Sequence, residues 1–171
     1  WDEGTFGLRE LIAQHNEHRL VVPRLLFLID TELCGQSGHL VIAAALVLQG
    51  LLLWLLVDLW RCARAPGPSG STATAVVAML VAFQFAGAQI QNLVEPFQVQ
   101  FGLVSLLTSC AFAAMARAAA TGRRGRWLFA AGVAATAATY SMASGMLAWP
   151  LLLLLGAWLR LPRGAWLTLF V

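Results

Sequence analysis

The residues best suited to chemistry are concentrated at the start of the sequence. The first 36 positions, WDEGTFGLRELIAQHNEHRLVVPRLLFLIDTELCGQ, hold six of the chain's eight carboxylates and two of its three histidines. A carboxylate can act as a general base, and the fork of an arginine side chain suits a phosphate. The densest part is HNEHR, residues 15–19, which places four ionisable side chains within one and a half helical turns.

Three interpretations of this charged segment stay open. The simplest is a solvated polar face with charged pairs one turn apart. A second is a divalent-cation site formed by His15, Glu17 and His18. Histidines at i and i+3 with a glutamate on another face chelate poorly, so no metal site is predicted and a divalent cation is the only cofactor candidate. In the third, Arg19 and Arg24 bind a lipid phosphate through their charge and fork geometry.

A second set of polar residues interrupts the apolar part of the chain. Gln84, Gln91 and Glu95 are spaced i, i+7 and i+11, which on one continuous helix places them within about 40°. Such a polar line could flank a headgroup pocket, although hydrogen bonding between helices is the simpler alternative. Structural roles are predicted for the others: a hydrogen bond between helices for Gln49, an ion pair for Asp58 with Arg61, and helix packing for Ser105, Thr108 and Ser109.

The composition indicates a membrane protein. Of the 171 residues, 60% are hydrophobic and 11% are charged, and mean hydropathy is +0.76. Soluble chains carry roughly a quarter charged residues. All 11 basic residues are arginines, and most follow long apolar runs, so the net charge of +3 describes no nucleic-acid surface. Three scattered cysteines indicate neither a disulfide framework nor a zinc site.

The apolar runs predict an all-α, polytopic transmembrane protein. Residues 1–36 form a polar loop with juxtamembrane helices, and residues 37–171 form the transmembrane region. The stretch 127–159 would make a helix of about 50 Å, so we expect two short passes that meet near 141–145. The predicted spans are 39–60, 73–89, 101–119, 127–142 and 146–159, with the start of another at 165.

The arginines orient these spans. Under this count every arginine after residue 60 lies on one side, which the positive-inside rule makes cytoplasmic. Trp60, Trp127, Trp158 and Trp166 lie beside these arginines, as an interfacial aromatic belt would place them. Residues 1–36 are therefore expected on the extracytoplasmic side.

The loop 1–36 itself has the pattern of two short amphipathic helices lying in the membrane interface. Its second half places apolar residues from Leu20 to Ile29 on one face, with Arg19, Arg24 and Asp30 off that face. Pro23 is expected to bend or restart this helix. The chain starts on Trp1 and stops inside an apolar run, so we expect it to be a portion of a longer protein.

In these features the chain resembles the GT-C superfamily of membrane glycosyltransferases, which use polyprenyl-phosphate-linked sugars. In many of them an acidic residue follows the first membrane helix and opens a long extracytoplasmic loop with two juxtamembrane helices. Trp1-Asp2-Glu3 would fill the acidic position, and Leu8–Leu33 the two helices. The HNEHR and PRLLFL segments are similar to bacterial members described as dolichol-phosphate-mannose-protein mannosyltransferase-like.

The resemblance implies an integral protein of the bacterial inner membrane that moves a sugar from a polyprenyl-phosphate donor to an extracytoplasmic acceptor hydroxyl. Asp2 would be the general base, with Glu3 the second choice. The implied partners are the sugar lipid and membrane lipids, with no nucleic acid. The residues that would bind substrate are His15, Glu17, His18, Arg19, Arg24, Gln91 and Glu95.

Two other classes compete with this interpretation. A non-catalytic membrane subunit or assembly factor predicts that a partner chain covers the charged head. A transporter would need charged or broken-helix sites near the bilayer midplane. The spans offer mainly glutamine, serine and threonine there, which argues against ion coupling.

Overall fold

The fold is entirely helical throughout the part of the chain that the computed structural model describes, namely residues 20–63, 70–121, 124–162 and 164. The α-helices are α1 (Val21–Cys34), α2 (His39–Ala63), α3 (Gly70–Gln84), α4 (Ile90–Val94), α5 (Val99–Ala120), α6 (Arg124–Thr139) and α7 (Ala148–Trp158). Three short 3₁₀ segments connect them, Gly87–Gln89, Pro96–Gln98 and Ala143–Leu147.

Two of the described helices are long and apolar enough to cross a membrane. They are α2, with 25 residues, and the 25-residue unit Pro96–Ala120 that contains α5. At 1.5 Å per residue each reaches about 37 Å, which exceeds a hydrocarbon core of about 30 Å. Only 28% and 44% of their most apolar windows are buried, so more than half of each window is at least partly accessible. Trp54, in the middle of α2, is 64% exposed.

The helix α5 forms the centre of the packing. It contacts α6 most extensively and α2 next. One cluster, built largely from alanines, joins α5 to α6 and α7, and a second joins the start of α5 to α1 and α2. Small side chains let helix backbones approach closely, which is how weakly amphipathic helices such as α6 can pack. The buried members of the first cluster are Ala111, Ala114, Met115, Ala118, Leu128, Ala131, Ala135, Ala148 and Leu152.

The connection between α6 and α7 lies in the small-residue segment where the sequence predicts a turn. Gly145 lies directly against the carbonyl group of Ala138, and a Cβ atom at this position would overlap that backbone. Ser141 is fully buried, and its hydroxyl donates to the Ala137 carbonyl oxygen at 2.8 Å. The Trp149 indole N–H donates to the Thr139 hydroxyl at 3.3 Å. These contacts fix the geometry of the helical hairpin that α6 and α7 form.

The corner between α1 and α2 is closed by Asp30. This carboxylate accepts hydrogen bonds from the backbone N–H groups of Gly38, at 2.8 Å, and Leu40, at 3.1 Å, and so satisfies donors at the start of α2. Asp30 is 3% exposed. Asp30 itself is therefore not part of a solvated charged face, which was one of the interpretations open for the charged segment, because the corner folds back over it. Gly38 has φ +76° and lies against Pro96, which leaves no room for a side chain.

Pro23 lies at the start of a helix, as one of its two predicted roles requires, and not at a bend within one. It lies in the first turn of α1, where its missing N–H costs no intrahelical hydrogen bond. Val22 N–H donates to the Tyr140 carbonyl oxygen at 3.4 Å, which brings the start of α1 to the end of α6. The helix α1 thus reaches from the end of α6 to the start of α2.

An ion pair joins the C-terminal ends of α2 and α5. The Arg117 guanidinium lies 2.8 Å from the Asp58 carboxylate. The predicted pair between Asp58 and Arg61 is therefore wrong, because α5 runs parallel to α2 and brings a nearer arginine. Arg117 and Arg126 also lie over the Trp127 ring, at 5.5 and 5.4 Å from its centroid. The two side chains are 37% and 32% exposed, so the pair contributes little stability.

Candidate functional site

Most of the predicted site residues lie outside the residues that the structure describes. These are Asp2, Glu3, His15, Glu17, His18 and Arg19, and with them the metal interpretation of HNEHR. Among the described residues, no three His, Cys, Asp or Glu side chains lie close enough to hold a metal ion.

The three remaining predicted residues, Arg24, Gln91 and Glu95, lie among the described residues. Arg24 is partly buried on α1. Gln91 is exposed on α4, and Glu95 is exposed just after it, where its carboxylate accepts a 3.5 Å hydrogen bond from the Gln98 side-chain amide. None of the three lines the two cavities described below.

The predicted polar line through Gln84, Gln91 and Glu95 is wrong. It assumed one continuous helix, but α3 ends at Gln84 and the chain continues through a 3₁₀ turn into the separate helix α4. Gln84 instead faces a cavity that neither Gln91 nor Glu95 lines.

This cavity, which we call the glutamine chamber, has a volume of about 390 Å³. Such a volume falls within the range typical of ligand sites. Phe101 and Leu52 form its apolar wall, and Gly102 of α5 also lines it. The polar members of the lining are Gln49, Gln84, Gln89 and Ser105.

Gln49 is the most informative member of the chamber. Its amide oxygen is buried and has no hydrogen-bond partner among the described residues. The predicted interhelical hydrogen bond of Gln49 is therefore not formed within that part of the chain. A buried polar atom without a partner costs about 1–3 kcal/mol, so its presence calls for an explanation.

A second cavity of about 410 Å³ adjoins the chamber, because Leu52 and Ser105 line both. We call it the hydroxyl groove. Leucines of α2 and of the 147–151 segment form its apolar walls. Its polar lining consists of the hydroxyls of Ser105, Thr108, Ser109 and Ser144.

The hydroxyls that line the groove differ from other hydroxyls of this helical fold in their hydrogen bonding. Thr136, Thr139 and Ser141 each bond back to the carbonyl four residues earlier. No such bond is found for the groove hydroxyls within the described ranges, so the predicted helix-packing role of Ser105, Thr108 and Ser109 is only part of the account. They lie at an open cavity and face space that a ligand could fill.

The electrostatic character of both cavities is neutral. Amides, hydroxyls, one aromatic ring and aliphatic side chains line them, and no described charged side chain does. A bound phosphate or carboxylate would find no counter-charge there. The arrangement suits groups that donate and accept hydrogen bonds without carrying charge.

The sequence singled out Gln84 and Gln49 but not the site that they form. A signal was present in the glutamine-rich run from Gln84 to Gln100, which contains Gly87 and Pro96 and is too polar for a continuous span.

In comparisons with protein-family models, curated protein sequences and solved structures, the chain matches none of them.

Proposed function

We propose that the chain is a polytopic protein of the bacterial inner membrane, with α1 and the loop before it on the extracytoplasmic side. The exposed apolar side chains of α2, namely Leu46, Val47, Leu51 and Trp54, support this arrangement, since such surface is stable in lipid and not in water. The described arginines other than Arg24 lie at the ends of α2, α5 and α7 and at the start of α6, on the side opposite α1. The positive-inside rule makes that side cytoplasmic.

Within this arrangement the protein is a GT-C-type glycosyltransferase that moves a sugar from a polyprenyl phosphate to an extracytoplasmic hydroxyl. The observation that supports it most is the placement of α1 across the ends of α2, α5 and α6, where Asp30 and the Val22–Tyr140 hydrogen bond hold it. Leu25, Ile29 and Leu33 form an exposed apolar stripe along α1. An interfacial helix buries such a stripe at the boundary of headgroups and acyl chains, where a lipid phosphate also lies.

The reaction follows from the groups that the proposal assigns. The acceptor oxygen forms a bond to the anomeric carbon from the face opposite the phosphate, and the bond from that carbon to the phosphate oxygen breaks. The lipid phosphate leaves with the electron pair, and Asp2 takes the acceptor proton. Arg19 and Arg24 would balance the charge on the phosphate. Glu3 is the second choice for the base, and the remaining donor contacts would come from His15, Glu17, His18, Gln91 and Glu95.

The test is transfer by the purified full-length protein in lipid vesicles. Polyprenyl phosphate carrying radiolabelled mannose, glucose or galactose is supplied with hydroxyl-bearing peptide and glycan acceptors. We expect at least one donor to lose its label to an acceptor or, more slowly, to water, with release of free polyprenyl phosphate. If every donor stays intact with every acceptor, the chain is not a transferase of this kind.

A non-catalytic membrane subunit is the second candidate, and the same apolar stripe on α1 favours it. Leu25, Ile29 and Leu33 are 44%, 45% and 74% exposed, and they follow one another at i, i+4 and i+8. A partner chain seated on this face would copurify with the protein from membranes. Inert donors together with such a partner would favour this function over catalysis.

A further inference from the structure

The glutamine chamber lies where the helical structure beside α2 is interrupted. Gln49 is about 15 Å along α2 from its start, close to the middle of that helix. The 15 residues of α3 reach only about 22 Å, so α3 ends at Gln84 beside Gln49 instead of running the length of α2. The following residues up to Gln98 continue along α2 toward its start as two 3₁₀ turns and the five-residue helix α4.

Broken backbone at membrane depth is characteristic of binding sites. Lipid cannot satisfy free N–H and C=O groups, so such a segment occurs only where it is covered by protein or lines a polar cavity. Segments of this kind form the substrate sites of many membrane proteins. Here Gln89, at the end of the first 3₁₀ turn, lines the chamber together with Gln84 and Gln49.

We propose that the glutamine chamber binds the neutral, hydroxyl-bearing head of an amphiphile dissolved in the membrane, with its apolar chain lying in the hydroxyl groove. The unpartnered Gln49 oxygen accepts a hydrogen bond from a ligand hydroxyl, and the amide N–H groups of the lining donate to ligand oxygens. Leu52 and Ser105 form the passage from head to chain because they line both cavities.

The neutral lining of the two cavities indicates the chemical class of this ligand. No described charged side chain lines either cavity, so an ionic headgroup would be buried without a counter-charge, at high cost. Each hydroxyl of a sugar or polyol head can both donate and accept a hydrogen bond, which suits the amide and serine side chains that line the cavities. This inference goes beyond the proposed function, since binding here requires neither Asp2 nor any transfer step.

The probe for this site is an alkyl glucoside with a photoreactive diazirine in its chain, added to the full-length protein in lipid nanodiscs. We expect labelled peptides from the 101–109 and 144–151 segments and displacement of the label by dodecyl maltoside. Dodecylphosphocholine, which has the same chain and a charged head, should displace it poorly, and so should free maltose. Equal displacement by dodecylphosphocholine, or displacement by free maltose, would overturn the proposal.

Variants separate this binding from a structural role. We expect Gln49→Leu to weaken dodecyl maltoside about 5- to 10-fold, the effect of one buried hydrogen bond between uncharged groups. Without ligand, Gln49→Leu should unfold at the same or a higher temperature, because it removes an unpartnered buried atom. The control is Gln98→Leu, which also removes a buried, unpartnered amide oxygen but lies outside the chamber, and it should keep full affinity. Unchanged affinity in Gln49→Leu, or a loss that Gln98→Leu matches, would contradict the assignment.

Discussion

Replacing Asp2 by Asn is expected to lower sugar transfer by about 10²- to 10⁴-fold while donor binding is largely retained. An acceptor hydroxyl is a weak nucleophile, and a positioned general base contributes about this much to the rate. Asn keeps the size and hydrogen bonding of Asp but lacks the basic oxygen. The expectation rests on the proposed function and on the resemblance that assigns Asp2 its role.

The internal control for Asp2 is the carboxylate beside it. Glu3→Gln removes a negative charge from the same segment and should cost much less if Asp2 is the base. Both variants are measured at equal protein level in vesicles, with initial rates at saturating donor. Near-normal turnover in Asp2→Asn would refute the assignment, and a collapse confined to Glu3→Gln would move the base to Glu3.

Replacing Gly145 by Ala is expected to destabilise the protein by about 3 kcal/mol, at the upper end of the usual cost of overpacking. The new Cβ atom would overlap the carbonyl group of Ala138, and backbone cannot move aside as the end of a flexible side chain can. Ser141, fully buried in the same turn, restricts the adjustment further. The measurement is thermal unfolding of the purified protein in one fixed detergent or lipid.

Gly50→Ala is the matched control for that variant. Gly50 lies within α2, and a Cβ atom built there has no neighbour within 4 Å. Alanine in the interior of a helix is more favourable than glycine by roughly 0.5–1 kcal/mol, so this variant should be as stable as the parent or slightly more stable. If Gly145→Ala unfolds at the same temperature as Gly50→Ala, the close contact between Gly145 and the Ala138 carbonyl group does not stabilise the connection between α6 and α7.

The sequence was a good guide wherever the information was local. The predominantly apolar run from His39 predicted a span over 39–60, and α2 covers His39–Ala63. The predicted span 101–119 corresponds to α5 at Val99–Ala120. Length and hydropathy suffice for such helices because most of their surface is apolar whichever way they face.

The sequence failed where the arrangement depends on residues far apart in the chain. Asp58 pairs with Arg117, 59 residues away, and no local spacing rule could choose it over Arg61. Asp30 has the spacing of a surface residue, yet the corner before α2 buries it. The polar line through Gln84 failed because helical periodicity presumes an unbroken helix, whereas Gly87 and Pro96 lie in a connection that is only partly α-helical.

The most direct test of the central claim, that α1 and the other end of the bundle lie on opposite sides of a membrane, uses the protein's own cysteines. Cys34 at the end of α1 and Cys62 near the end of α2 are both exposed, so only the membrane should decide their reactivity. In intact cells a membrane-impermeant maleimide should label Cys34 and leave Cys62 unmodified until the membrane is permeabilised. Labelling of Cys62 from outside, with Cys34 protected, would invert the arrangement and remove the extracytoplasmic site.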